Sequence, residues 1–137
     1  MHHPWRRLRD QHPDWTICWS TESVAVDGYT DWHTKTITLD KTLDQAERRS
    51  TLAHELEHVE RGPYPAGDWW RAREEAICDQ EAARKLISLE ALLDALRWAL
   101  SHAEAADELW VDEDLLTVRL KHLHPSERAW LRARLED

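Results

Sequence analysis

Residues 54–58 read His-Glu-Leu-Glu-His. Two histidines four residues apart lie on one face of an α-helix, one turn from each other, so both imidazoles can reach a single ion. Glu55 is offset to the side, where it can touch a water on that ion without ligating it. A catalytic zinc wants a third protein ligand. The chain carries a second i, i+4 pair, Glu75 and Asp79. On a helical wheel these carboxylates sit beside Ala72, Ala83 and Leu86, at the edge of a small-apolar face. Burying them there is costly without a cation or hydrogen-bond partners. One zinc ion would supply both, with His54, His58 and Glu75 as ligands. Asp79 would then accept the free ring N–H of a ligand histidine, His54 in the first instance. The competing arrangement is two solvated histidines on an exposed helix, with Glu75 and Asp79 in surface salt bridges to Arg71 or Arg84.

The chemistry this constellation suits is metal-assisted amide hydrolysis. Glu55 would take a proton from the attacking water and deliver it to the leaving amine. A second donor is wanted for the developing oxyanion. Tyr64, His33 and His124 are the candidates, and sequence does not rank them. Cys78, three residues after Glu75, reads as a small buried residue and not as a ligand.

The elements that must position these residues can be read from patterning. Asp14 to Trp19 alternates as a strand, Val24 to Val26 is a second short strand, Asp27-Gly28 is a turn signal, and Thr34 to Leu39 alternates again. With a short helix over Pro4 to Arg9, residues 1–40 form a small antiparallel sheet in this reading. If the strand over 34–39 is a sheet edge, an extended substrate could pair with it. The motif helix runs over 43–61, started by Asp44 or Thr42 and stopped by Gly62-Pro63. A loop over 62–67 lets a second helix, 68–87, fold back against the first. A third helix over 88–101 has Ser88 as its cap. Segments 103–109, 113–123 and 126–135 complete a helical tail. The expected architecture is α+β, a single domain over 1–137, with strands first and a helical bundle after them.

Composition sets limits. The chain has 137 residues, 18 Lys+Arg against 27 Asp+Glu, and a net charge of −9. Such a body repels nucleic-acid phosphates and anionic membranes unless a local basic patch intervenes. No apolar run approaches the about 18 residues that cross a bilayer, and the N-terminus has no apolar signal-peptide core. With Cys18 and Cys78 too few for a disulfide scaffold, a cytoplasmic protein with reduced thiols is expected. Nine Trp and no Phe suggest that most tryptophans are core or semi-buried packing; of Trp69 and Trp70, one could line the cleft, with core packing the favoured reading.

The stretch Thr51-Leu-Ala-His-Glu-Leu-Glu-His58, then Glu75-Ala-Ile-Cys-Asp79, then Ala82-Ala83 and Leu86-Ile87, resembles the ImmA/IrrE metallopeptidases, a gluzincin-like HExxH…ExxxD family. The small actinobacterial and actinophage members are the most similar, over roughly residues 34–123. Glu57 stands where the family commonly has Gly, Cys78 where it has a small residue, Glu81 where it has an aromatic, and Ser88 where it has Pro. The resemblance implies an intracellular zinc endopeptidase whose protein substrate is a regulator such as a helix-turn-helix repressor, often in a phage or mobile-element setting. The rival reading comes from the tail, where 103–109, a turn at 110–112 and 113–123 have the spacing of a helix-turn-helix. That would make the chain a DNA-binding or protein-interaction regulator, a phage or toxin–antitoxin component with a structural metal and no turnover. Asp112, Glu113 and Asp114 at the start of the would-be recognition helix weigh against direct DNA contact.

Overall fold

A computed structural model describes residues 2–21 and 26–136. Helix α1 spans Pro4–Gln11, with Pro4 at its first turn, where a missing N–H costs nothing. Three strands follow: β1 (Thr16–Ser20), β2 (Gly28–Asp31) and β3 (Thr36–Asp40). Their spatial order is β1-β3-β2. β1 runs parallel to β3, with Thr16 opposite Thr36. β2 runs antiparallel to it, with Gly28 opposite Leu39. The sheet is therefore mixed and not antiparallel as the strand spacing suggests. A meander would place β2 in the middle, but the most buried position goes to the strand with the cleanest apolar alternation. In β3, Ile37 and Leu39 are wholly buried, whereas Tyr29 of β2 is 48% exposed. β1 takes the far side of β3 and runs parallel to it.

The segment over 24–26 lies largely outside the described residues, and Val26 is exposed. Asp27-Gly28 does not turn the chain. Gly28 opens β2, and a Cβ there would stand 2.8 Å from the Thr38 carbonyl oxygen and 2.9 Å from Thr51 Cγ2. The missing side chain lets the edge strand approach the following helix. The hairpin turn is at 32–35 instead. There Asp31 Oδ1 accepts the backbone N–H of His33 and Thr34 at 2.9 and 3.3 Å, and Lys35 adopts φ 55°.

The helices follow the expected order: α2 (Gln45–Arg61), α3 (Asp68–Leu86), α4 (Leu89–Trp98), α5 (His102–Leu109), α6 (Glu113–Lys121) and α7 (Pro125–Leu135). Of the two candidate caps for α2, Asp44 serves. Its carboxylate accepts the Glu47 N–H at 2.8 Å, and Glu47 reaches back to the Asp44 N–H at 3.0 Å, a full capping box. Ser88 caps α4 through the Ala91 N–H. The loop between α2 and α3 turns on Gly62 (φ 82°) and Gly67 (φ 124°), a backbone region that side chains rarely enter.

Helix α2 is the hub. Leu52 and Leu56 pack on Ile37, Leu39 and Leu8, while Ala53 joins a larger cluster with Ala82, Ala83, Ile87, Leu92 and Leu116. Glu57 is buried as well. It takes Arg7 Nη1 of α1 at 3.2 Å and Lys85 Nζ of α3 at 2.6 Å, so it ties α1 and α3 to the motif helix. The tryptophans do not fill the core. None of the nine is buried, and Trp69 and Trp70 stand 66% and 37% exposed, stacked edge to face on each other. The fully buried core is mostly Leu, Ile and Ala, with Trp15 and Trp130 half-buried against its two clusters. No helix among the described residues is long and apolar enough to cross a membrane.

Candidate metal centre and active-site cleft

Residues 54–58 fall in the middle of α2 and residues 75–79 in the middle of α3, and the glycine-hinged loop brings the two helices side by side. One helical turn sets both histidines on the α3-facing side. Their Nε2 atoms are 3.2 Å apart. The Glu75 carboxylate spans them, with one oxygen 2.8 Å from His54 Nε2 and the other 2.9 Å from His58 Nε2. Asp79 Oδ1 lies 2.7 Å from His54 Nδ1. Glu75 and Asp79 therefore meet the histidines and not Arg71 or Arg84. Those arginines pair with Asp68 and Glu127. His54, Glu55 and His58 also offer nitrogen and oxygen atoms within 4.8 Å of one another, a grouping that could hold a metal ion.

The electrostatics follow from this convergence. Burial works against a charge on His54, but the hydrogen bonds to Asp79 and Glu75 override it and lift its pKa to about 10. The two imidazoles hold the Glu75 carboxyl well below the usual range. Glu55 is 4% exposed, and that burial pushes its carboxyl up despite the nearby histidines. Its Oε2 accepts the Thr30 hydroxyl at 2.9 Å, and Oε1 lies 3.9 Å from His54 Nε2. Thr30 belongs to β2, so the edge strand itself fixes this carboxylate. Behind His58, the Cys78 sulfur stands 3.5 Å from Nδ1, and burial pushes the thiol up to about 12, where it stays protonated. Trp32 Nε1 donates to the His58 carbonyl at 3.0 Å.

The four polar groups open onto a cleft of about 660 Å³, within the size range of ligand sites. Its walls are β2, α2, α3 and the start of α6. Tyr64 lines it, with its ring 6.2 Å from that of His58. His33, in the β2–β3 turn, and His124, at the start of α7, do not. β3 is the central strand and has no free edge, so it cannot take an added strand. β2 has the edge that borders the cleft. The N-terminal half of α6 is built into the cleft wall through Asp112, Asp114, Leu115 and Val118, and Leu116 and Arg119 are buried.

A sequence profile of the peptidase family M78, the IrrE N-terminal-like domain, matches residues 11–121. The chain belongs to this family. Comparison with curated proteins and with solved structures gives no match. An IrrE N-terminal-like domain is a peptidase-type domain. The matched span contains β1 to α6, and so every residue at the convergence of His54, His58, Glu75 and Asp79. α1 lies mostly before it and α7 after it.

Sequence reasoning missed Thr30, because a threonine in a strand carries no local mark of what it touches 25 residues away. It also missed that Asp112 and Asp114 wall the cleft. Their charge was visible, but only the packing of α6 on α3 brings them there.

Proposed function

We propose that this chain is a zinc-dependent cytoplasmic endopeptidase acting on a regulatory protein, a helix-turn-helix repressor being the favoured class. The observation that carries the reading is the meeting of His54, His58 and Glu75 at one point, with Asp79 behind His54 and Glu55 beside it. Two imidazole nitrogens and a carboxylate, with a second-layer acceptor on one ring, form the donor set of a catalytic zinc. In this reading His54, His58 and Glu75 hold the ion. When bound, zinc supplies a Lewis acid that lowers the pKa of water from about 15.7 towards about 7.

The chain's own residues do the rest. With the ion bound, Asp79 would hold the Nδ1 proton of His54, leaving Nε2 as the nitrogen turned to the ion. Thr30 holds Glu55 Oε2, leaving Oε1 towards the histidines. Glu55 accepts the proton of the attacking water and passes it to the leaving amide nitrogen. Burial raises its carboxyl pKa, the direction that helps it hold the proton between the two transfers. Tyr64 is the oxyanion donor that the cleft supplies. The β2 edge would pair with an extended substrate backbone. Asp27, Asp112 and Asp114 along the cleft suit a substrate segment rich in Lys or Arg, as in a DNA-binding protein.

The test compares wild type with Glu55→Gln. The substrate offered is a helix-turn-helix repressor, taken from a neighbouring reading frame where one encodes it. Both forms are expected to hold one zinc per chain by metal analysis, and only wild type cleaves the repressor. Cleavage retained by a clean Glu55→Gln preparation overturns the assignment.

A further inference from the structure

On the far side of α2 lies a second cavity, of about 310 Å³, where α1, the first turn of α2 and the α5–α6 turn meet. Trp5, Gln45, Arg48, Arg49 and Trp110 line it, and no acidic residue does among the described residues. In a chain of net charge −9 this is a marked segregation of charge.

Arg49 is 7% exposed. Its guanidinium donates to the carbonyl oxygens of Leu109, Trp110 and His2 at 2.9–3.2 Å, but among the described residues no carboxylate lies within ion-pair range of it. A buried cation ordinarily has a counter-charge. Burial without one holds the Arg49 pKa below its usual value. Among the described residues Arg48 has no ion pair either. Its Nη2 donates to the Lys41 carbonyl, and its guanidinium stands 5.0 Å over the Trp19 ring. Its Nε is buried with no acceptor among the described residues.

The aromatic side of the cavity is equally specific. Trp110 sits at φ 61°, ψ 38°, at the end of α5. That position favours glycine, and a bulky residue is uncommon there and strained. The conformation leaves the indole 54% exposed at the cavity mouth. Trp5 stacks on Trp19 at 6.0 Å across the same region.

The geometry points to a binding site for a small anion bearing a planar ring, of nucleoside monophosphate size. Among the described residues neither arginine has a carboxylate partner, and Arg48 Nε has no acceptor. The indoles offer faces on which a ring can stack, as bases do on aromatic and guanidinium platforms. The volume suits one such ligand and not a polymer. This site does not depend on the metal centre or on peptidase activity.

Titration calorimetry and thermal shift with AMP, adenosine and inorganic phosphate test this, on the full chain both zinc-loaded and chelator-treated. AMP is expected to bind one per chain in both forms and to raise the Tm. Adenosine and phosphate alone should be weaker by about tenfold or more. Arg48→Gln and Trp110→Gly should each weaken AMP by about tenfold or more. Trp110→Gly also relieves the backbone strain, so its ligand-free Tm should hold or rise, which separates lost binding from lost folding. The proposal is overturned by no AMP binding at millimolar concentration, by phosphate binding as tightly as AMP, by AMP binding that needs zinc, or by unchanged affinity in both variants.

Discussion

Replacing Arg7 with Met tests how α1 is held to the motif helix. Arg7 and Glu57 have side chains 7% and 5% exposed, and their contact joins α1 to α2. Arg7 also pairs with Glu60, through Nε at 2.9 Å and through Nη2. Methionine keeps the apolar stem and removes the charge. Breaking a buried pair by deleting one partner typically costs about 3–5 kcal/mol, because the other charge is stranded. Here Lys85 remains 2.6 Å from Glu57, and its side chain is 36% exposed. That residual partner brings the expected loss to about 2–3 kcal/mol. At about 3 °C per kcal/mol for a chain of this length, Tm should fall by about 6–9 °C. Urea unfolding followed by far-UV circular dichroism measures the loss, with m unchanged. The double variant Arg7→Met/Glu57→Leu removes the stranded charge and frees Lys85 to reach water. It should recover at least about 1 kcal/mol relative to Arg7→Met. A single-variant loss below about 0.5 kcal/mol, or strict additivity in the double variant, refutes the buried-clamp reasoning.

Asp79→Ala should weaken zinc binding about tenfold in a chelator competition. This is the low end for such outer partners, because Asp79 is 47% exposed and partly screened; unchanged affinity would remove Asp79 from the site. Thr30→Val should lower single-turnover cleavage by about 10–100-fold through misorientation of Glu55, while Thr30→Ser stays close to wild type. Glu127 tests the pH linkage. Its hydrogen bonds to Arg119 lower its pKa from 4.5 to about 2, so its stabilisation is present above about 4.5 and lost as pH falls towards 2. Glu127→Gln should therefore cost about 2 kcal/mol at pH 7, allowing for screening at a side chain 17% exposed. The gap to wild type should close in urea titrations repeated at progressively lower pH. A gap that persists at pH 2 contradicts the assignment.

The legible part of this protein was the local part. The spacing of His54, His58, Glu75 and Asp79 could be read because a helix repeats every 3.6 residues, whatever surrounds it. Asp44 with Glu47, Gly62-Pro63 and Ser88 marked helix ends for the same reason, since caps are made within a few residues. The alternation at 36–39 identified a strand with one buried face. It could not say what lay on either side of that strand, and the antiparallel sheet it suggested is a mixed one. Of the tryptophans, only Trp15, Trp32 and Trp130 are half-buried and the other six are exposed, because hydrophobicity alone does not say which face of an element packs.

By itself, then, the sequence determined the family, β1 and β3, the order of the helices, and which four side chains pair one turn apart on α2 and α3. All of these depend on residue types and on spacings within a single element. The tertiary structure alone decided that β2 borders the cleft, that Thr30 reaches Glu55, that Cys78 backs His58 and that Glu57 joins Arg7 to Lys85. It also set Arg48, Arg49, Trp5 and Trp110 around one cavity. Each of these joins residues on different elements, and such contacts follow from which faces pack together, not from any period along the chain.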